Sequence, residues 1–181
     1  LFPLTGSYKI IKCLVLGFLS KNHYPDAVMM LRGKDEVFHD IFDYKMARLE
    51  KVFSKNPSPL VLIGDDVQKD PEVYAAFAQR HPGAVKAIYI HVVKGRLLPD
   101  GARRYHTAFE VALTEMVEGR LSVNHVLDVG DRLADFKKDD VFPAYKLCPR
   151  GFRFSEDVYS FPAGIQTRAK SIERQVNGFC G

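Results

Sequence analysis

The stretch Gly64-Asp65-Asp66-Val67-Gln68-Lys69-Asp70 sets two carboxylates, Asp65 and Asp70, at the ends of a short turn, where they could converge on one small space. A hard divalent cation such as Mg²⁺ takes oxygen ligands in octahedral geometry. It is usually held by one or two carboxylates, with waters and a substrate phosphate completing the shell. The turn therefore has the make-up of a Mg²⁺ site, and Gly64 would let the backbone turn tightly beneath the ion. The same residues also make a good turn, and Asp70 before Pro71 is also a plausible helix N-cap. Lys45 could reach over the strand ends and neutralise a phosphate or a carboxylate pair. Taken alone, it reads as a solvated lysine whose stem covers apolar surface. Thr5 or Ser7 could donate a hydrogen bond to a phosphoryl oxygen. Taken alone, each is a turn or cap hydroxyl.

The elements that must position these groups can be read from the hydrophobic pattern. Phe2 to Thr5 reads as a strand end broken by Gly6-Ser7. Ile10, Ile11, Leu14, Val15, Phe18 and Leu19 recur at helical spacing. Ala27 to Leu31 reads as a buried strand and Lys34 to Asp40 as a loop. Ile41 to Phe53, carrying Lys45, reads as a helix closed by Asn56-Pro57-Ser58-Pro59. Leu60-Val61-Leu62-Ile63 is an apolar run of the kind found in parallel strands covered on both faces, and it ends directly in Gly64-Asp65. Asp70-Pro71-Glu72 opens a helix that His81-Pro82-Gly83 stops. Ala84 to Val93 is a further apolar strand. Strands and helices alternate, which predicts an α/β fold with a mostly parallel, Rossmann-like sheet and flanking helices. Ligands bind such sheets at the carboxyl ends of the strands, where Asp65 lies.

After Lys94 the pattern is less regular. Tyr105 to Val117 reads as a helix and Val123 to Val129 as a short strand. From Lys137 the chain mixes charge, Pro and aromatics, and it closes on a basic amphipathic stretch, Arg168 to Val176, expected to pack peripherally. The expected organisation is one domain over 1–136 and a C-terminal extension over 137–181.

The bulk properties narrow the function class. The chain has 181 residues, 46% hydrophobic and 27% charged, enough for a buried core and unlike a disordered segment. Its net charge of +4 permits attraction to phosphates or an anionic surface without requiring it. The basic residues are spread out, so a nucleic-acid binder has little support. Cys13, Cys148 and Cys180 include no CxxC pair, which points to reduced thiols in a cytoplasmic protein rather than a zinc site or a disulfide framework. The longest apolar run, Cys13 to Leu19, is too short to span a bilayer. Phe2-Pro3 does not fit a secretory leader.

A strand with Thr, a helix with Lys, then a strand with GDxxxD is the order of the second to fourth motifs of haloacid-dehalogenase-like phosphotransferases. More closely, Leu60 to Tyr74 followed by Arg80 to Ile90 resembles the catalytic domain of the actin-patch-associated phosphatidate phosphatases. That family reads as an apolar strand, GDSGQ-DPE-Y, a helix, FPGRV and an isoleucine-tyrosine-isoleucine-arginine strand. The Asn22 to Pro25 turn and Met30-Leu31-Arg32 also resemble the family's segment before its lysine helix. The resemblance covers roughly residues 1 to 93. It implies that Asp65 ligates Mg²⁺ directly and that Asp70 holds the ion through water or a second contact. Lys45 would bridge the phosphoryl group and a nucleophilic carboxylate, and Thr5 or Ser7 would bind the phosphoryl oxygen. Arg32 would contact substrate phosphate or form a strand-end ion pair.

There are departures. Asp66 and Val67 replace serine and glycine, His91 stands where arginine is usual, and Thr5-Gly6-Ser7-Tyr8 replaces a Ser-Asn-Ser-Pro-Trp region. No DxDxT occurs: neither Asp26, Asp35, Asp40 and Asp43 nor Asp128, Asp131 and Asp135 has that context. In this fold the motif ends the central strand, expected before Leu1.

Two readings follow. One is a Mg²⁺-dependent phosphatase acting on a phosphate ester such as membrane phosphatidate, through an aspartyl-phosphate formed on an Asp upstream of this chain. On that reading the chain alone does not turn over. The other is an inactive relative that serves as a membrane-associated binding or regulatory module.

Overall fold

The computed structural model describes residues 4–8, 12–21, 30–33, 40–134 and 136–181, with side chains except at 5–8, 14, 15, 18, 19 and 21. The described chain falls into two units, Leu1–Ile88 with Leu98–Ala102, and Tyr89–Leu97 with Arg103–Gly181.

In the first unit, β1 (Leu4–Tyr8) pairs in parallel with β2 (Met30–Arg32), Leu4 against Met30 and Tyr8 against Arg32, with an irregularity between. Gly6-Ser7 does not break β1. Pairing with β2 carries the strand through the glycine, so Ser7 lies within the strand as Thr5 does. Residues 27–29 of the expected second strand lie outside the described residues. The helix between the two strands is α1 (Lys12–Lys21).

Helix α2 (Ile41–Lys55) begins where the Asp40 carboxylate accepts from Phe42 N at 2.7 Å, satisfying one orphan donor of the first turn. It buries Tyr44, Lys45, Met46 and Leu49. Strand β3 (Leu60–Asp65) leads into α3 (Asp70–Arg80). Helices α2 and α3 pack together through Phe53, Phe77 and His81, whose rings lie 4.6 to 5.7 Å apart. His81 Nε2 lies 2.7 Å from Glu50 Oε2. Strand β4 (Val85–His91) then buries Ile88, Tyr89 and Ile90. Leu60 N donates to Ala84 O at 2.8 Å, a bond between the amino ends of β3 and β4, so the two strands run in parallel with α3 as their crossover.

The architecture is α/β, with parallel strands flanked by helices, as the alternating pattern predicts. The described strands form two sheets, β1-β2 and a three-stranded sheet in which β4 lies between β3 and β5 (Ala102–Tyr105). Helix α2 packs on β1 and on α3, and α3 packs on β3. Among the described residues no strand pairs with the second edge of β3, and Val61 and Ile63 are exposed.

The second unit is mostly helical. Val92 N donates to Tyr105 O at 2.9 Å. Tyr105 therefore ends β5 and does not open the helix expected there. That helix, α4 (Ala108–Val117), starts at a capping box in which the Glu110 carboxylate accepts from Thr107 N at 2.7 Å. Val123 to Val129, read as a strand, belongs to helix α5 (Val123–Arg132). The valines favour a strand intrinsically. Here Ser122 Oγ caps the helix by accepting from His125 N at 3.4 Å, and Val126 and Gly130 are buried one turn apart. After α6 (Lys138–Val141) and a 3₁₀ turn (Glu156–Ser160) comes α7 (Ala163–Cys180). The expected peripheral helix is instead central to this unit's core. Ile165, Ala169, Ile172 and Val176 are fully buried at helical spacing against Phe109, Val126 and Phe154. Cys148 and Cys180 form a disulfide across a Cα–Cα distance of 5.3 Å, correcting the expectation of reduced thiols. Their separation of 32 residues hides the pairing in the sequence.

Candidate active site

The carboxyl end of β3 and the first turn of α3 bring the two carboxylates together. Gly64 makes this approach possible. A Cβ there would lie 2.7 Å from Asp70 Cβ, 2.8 Å from Asp70 Oδ2 and 2.8 Å from Tyr74 Cε2. Any larger residue would push the helix start off the strand end. Tyr74 Oη donates to Ile63 O at 3.3 Å and fixes the same junction from the next turn of α3.

Asp65 occupies the turn itself. Its Oδ1 accepts from Val67 N at 2.8 Å, an Asx turn, and its own backbone N–H donates to Asp70 Oδ2 at 3.4 Å. Asp70 is not the N-cap that its place before Pro71 implies. Lys69 occupies the cap, and Asp70 is the first helical residue. The carboxylate is drawn away from capping by Lys45, whose Nζ forms an ion pair and hydrogen bond with Asp70 Oδ1. Lys45 is only 3% exposed, so the solvated-lysine reading fails for it. Burial raises the Asp70 carboxyl above its ordinary range; Lys45 opposes that shift and Asp65 adds to it.

The other expected site residues divide. Arg32, at the end of β2, is buried with its guanidinium 5.6 Å from the centroid of Tyr44, the neighbour of Lys45. Arg48 lies over the same ring at 5.2 Å. Arg32 is thus held against α2 by an aromatic face. Thr5 and Ser7 lie in β1, on which α2 packs, and their side chains fall outside the described residues. Asp66, which replaces the family's serine, is buried.

Asp65 and Asp70 offer hard oxygen donors within one turn, the donor chemistry that Mg²⁺ takes. Lys45 occupies one Asp70 oxygen, so most of the shell would come from water and substrate. Among the described residues no group of three or more His, Cys, Asp or Glu converges on a metal position. A two-carboxylate Mg²⁺ site fits the residues present; a cage built wholly from protein does not.

The sequence gives no sign of Lys146. In the second unit its buried Nζ lies 2.5 Å from His91 Nε2, and it donates to Val141 O at 2.7 Å and His106 O at 3.2 Å. His91 stacks on Tyr105, with ring centroids 4.9 Å apart. The position that carries arginine in the family is thus a histidine with an ammonium group against it. Burial lowers that ammonium to about 8. Lys146 lies far along the chain from His91, in a stretch with no motif, so only the fold could reveal the pair.

Residues 4–92, which are 89 of the 181, match the family described as "Phosphatidate phosphatase APP1, catalytic domain". No curated protein and no solved structure matches the chain.

Proposed function

From the match of residues 4–92 to the phosphatidate phosphatase APP1 catalytic-domain family, we propose that the chain is the metal- and lysine-bearing part of a Mg²⁺-dependent phosphatase acting on a lipid phosphate ester such as phosphatidate. The observation that carries this reading is the buried Lys45–Asp70 pair beside Asp65 at the carboxyl end of a parallel strand.

In the proposed reaction Asp65 and Asp70 would hold Mg²⁺, which would neutralise charge developing on the phosphoryl oxygens. Lys45 is positioned by Asp70 to attract the phosphoryl group, and its burial strengthens that attraction because little water screens it. Thr5, or else Ser7, donates to a phosphoryl oxygen from β1. Arg32 supplies a further cation for substrate phosphate. The attack is assigned to an Asp carboxylate outside these 181 residues, which would displace the alcohol of the ester to form an aspartyl-phosphate that water then hydrolyses to phosphate.

The test is phosphate release from phosphatidate and from soluble phosphomonoesters by the intact protein, with and without Mg²⁺. Release that needs Mg²⁺ and is lost in Asp65→Asn is expected. Unchanged release by Asp65→Asn would overturn the metal assignment. No release from any ester would favour the binding-module reading.

A further inference from the structure

Strand β4 leaves through Val92-Val93-Lys94-Gly95-Arg96-Leu97, and Leu97 is 92% exposed, the most exposed large apolar side chain among the described residues. A single exposed leucine needs no explanation, but this one has neighbours of the same kind. Tyr145 is 72% and Leu147 49% exposed in the stretch that follows α6. Leu147 N donates to Val93 O at 2.8 Å, and a Cβ at Gly95 would lie 3.0 Å from Leu147 Cδ2, so the two loops lie against each other.

Cations surround these apolar groups. Lys94 and Arg150 are exposed, and Arg104 Nη2 donates to Arg96 O at 2.8 Å, which holds a second guanidinium at the base of the first loop. Residues 92–97 and 144–150 contain no Asp or Glu. The backbone behind the surface is fastened twice: Lys146 is anchored on His91, His106 O and Val141 O, and Cys148 is tied to Cys180. The apolar side chains are thus presented by an anchored platform.

An aliphatic tip, an amphipathic aromatic and flanking cations are complementary to the boundary of an anionic bilayer. Leucine partitions toward acyl chains, tyrosine favours the headgroup level and Lys or Arg is attracted to anionic headgroups. A nucleic acid would match the cations but offers Leu97 no comparable apolar layer. We propose that these two loops dock the second unit on an anionic lipid bilayer, with Leu97 dipping into it and Lys94, Arg104 and Arg150 facing the headgroups. The docking needs neither Lys45 nor the carboxylates of β3 and α3, so it stands independently of the phosphatase reading.

The test is co-sedimentation of the full chain with phosphatidylcholine vesicles, pure or with about one third phosphatidylserine. The vesicles contain no phosphatidate, so binding reports the surface and not the active site. Binding to the anionic vesicles, weakened by salt and slight on the neutral ones, is expected. Leu97→Ser should lower the partition coefficient about tenfold, and Lys94→Glu should lower it by about the same factor. Both side chains are exposed, and circular dichroism will show whether each variant keeps its fold. Full binding by both folded variants, equal binding to neutral vesicles, or no binding to anionic ones would each overturn the proposal. So would self-association that depends on Leu97 without vesicle binding.

Discussion

Replacing Asp70 by Asn tests the physics of the site without reference to substrate. The substitution keeps the shape of the side chain and removes its charge, leaving the ammonium of Lys45 buried beside a neutral amide. Removing one partner of a buried pair costs about 3–5 kcal/mol, because the other charge is then desolvated without compensation. Lys45→Met makes the opposite change and should behave differently. Burial already raises the Asp70 carboxyl, and without Lys45 nothing comparable opposes the rise, so the acid can enter the fold protonated. The folded state then binds more protons than the unfolded one. Stability of Lys45→Met therefore falls as pH rises from the unfolded value of 3.8 through the raised folded value. At neutral pH the double variant should be less destabilised than the sum of the singles, by about 2 kcal/mol or more. Urea unfolding followed by circular dichroism measures all four proteins. A coupling below about 0.5 kcal/mol, or a Lys45→Met variant that gains stability over that pH window, would refute the reasoning.

Other expectations rest on separate contacts. Gly64→Ala should cost about 1–3 kcal/mol by overpacking against Asp70 and Tyr74, measurable by the same unfolding experiment. Reducing the Cys148–Cys180 bridge, or making Cys180→Ser, should destabilise the second unit by about 4 kcal/mol on loop-closure entropy, read as a lower melting temperature under dithiothreitol. Lys146 is held near 8 against an ordinary 10.5, so the unfolded state binds its proton where the folded state does not. Its contribution to stability should rise with pH across that interval and vanish in Lys146→Met, as paired pH titrations of unfolding would show.

The part of the fold that carries the site was legible because its cues are local. Leu60–Ile63 running into Gly64-Asp65, and Pro71-Glu72 opening a helix, define strand, turn and helix with no help from distant residues. Asp40 and Asn56-Pro57 bracket α2 in the same way. What failed was decided at long range. Asp70 has every local mark of a cap, yet Lys45 from another helix takes its carboxylate. The valines of α5 read as a strand until the buried pair Val126 and Gly130 is set against α4 and α7. The basic residues of α7 suggested a peripheral helix, but Ile165, Ala169, Ile172 and Val176 form its buried stripe. Cys148 with Cys180 and His91 with Lys146 are pairings between distant positions, which no local spacing encodes.

The measurement closest to the central claim is Mg²⁺-dependent phosphate release from phosphatidate by the intact protein, run beside Asp65→Asn. Release that a chelator abolishes and Mg²⁺ restores is expected, with none from the variant. Release that persists in the chelator, or in Asp65→Asn, would contradict it.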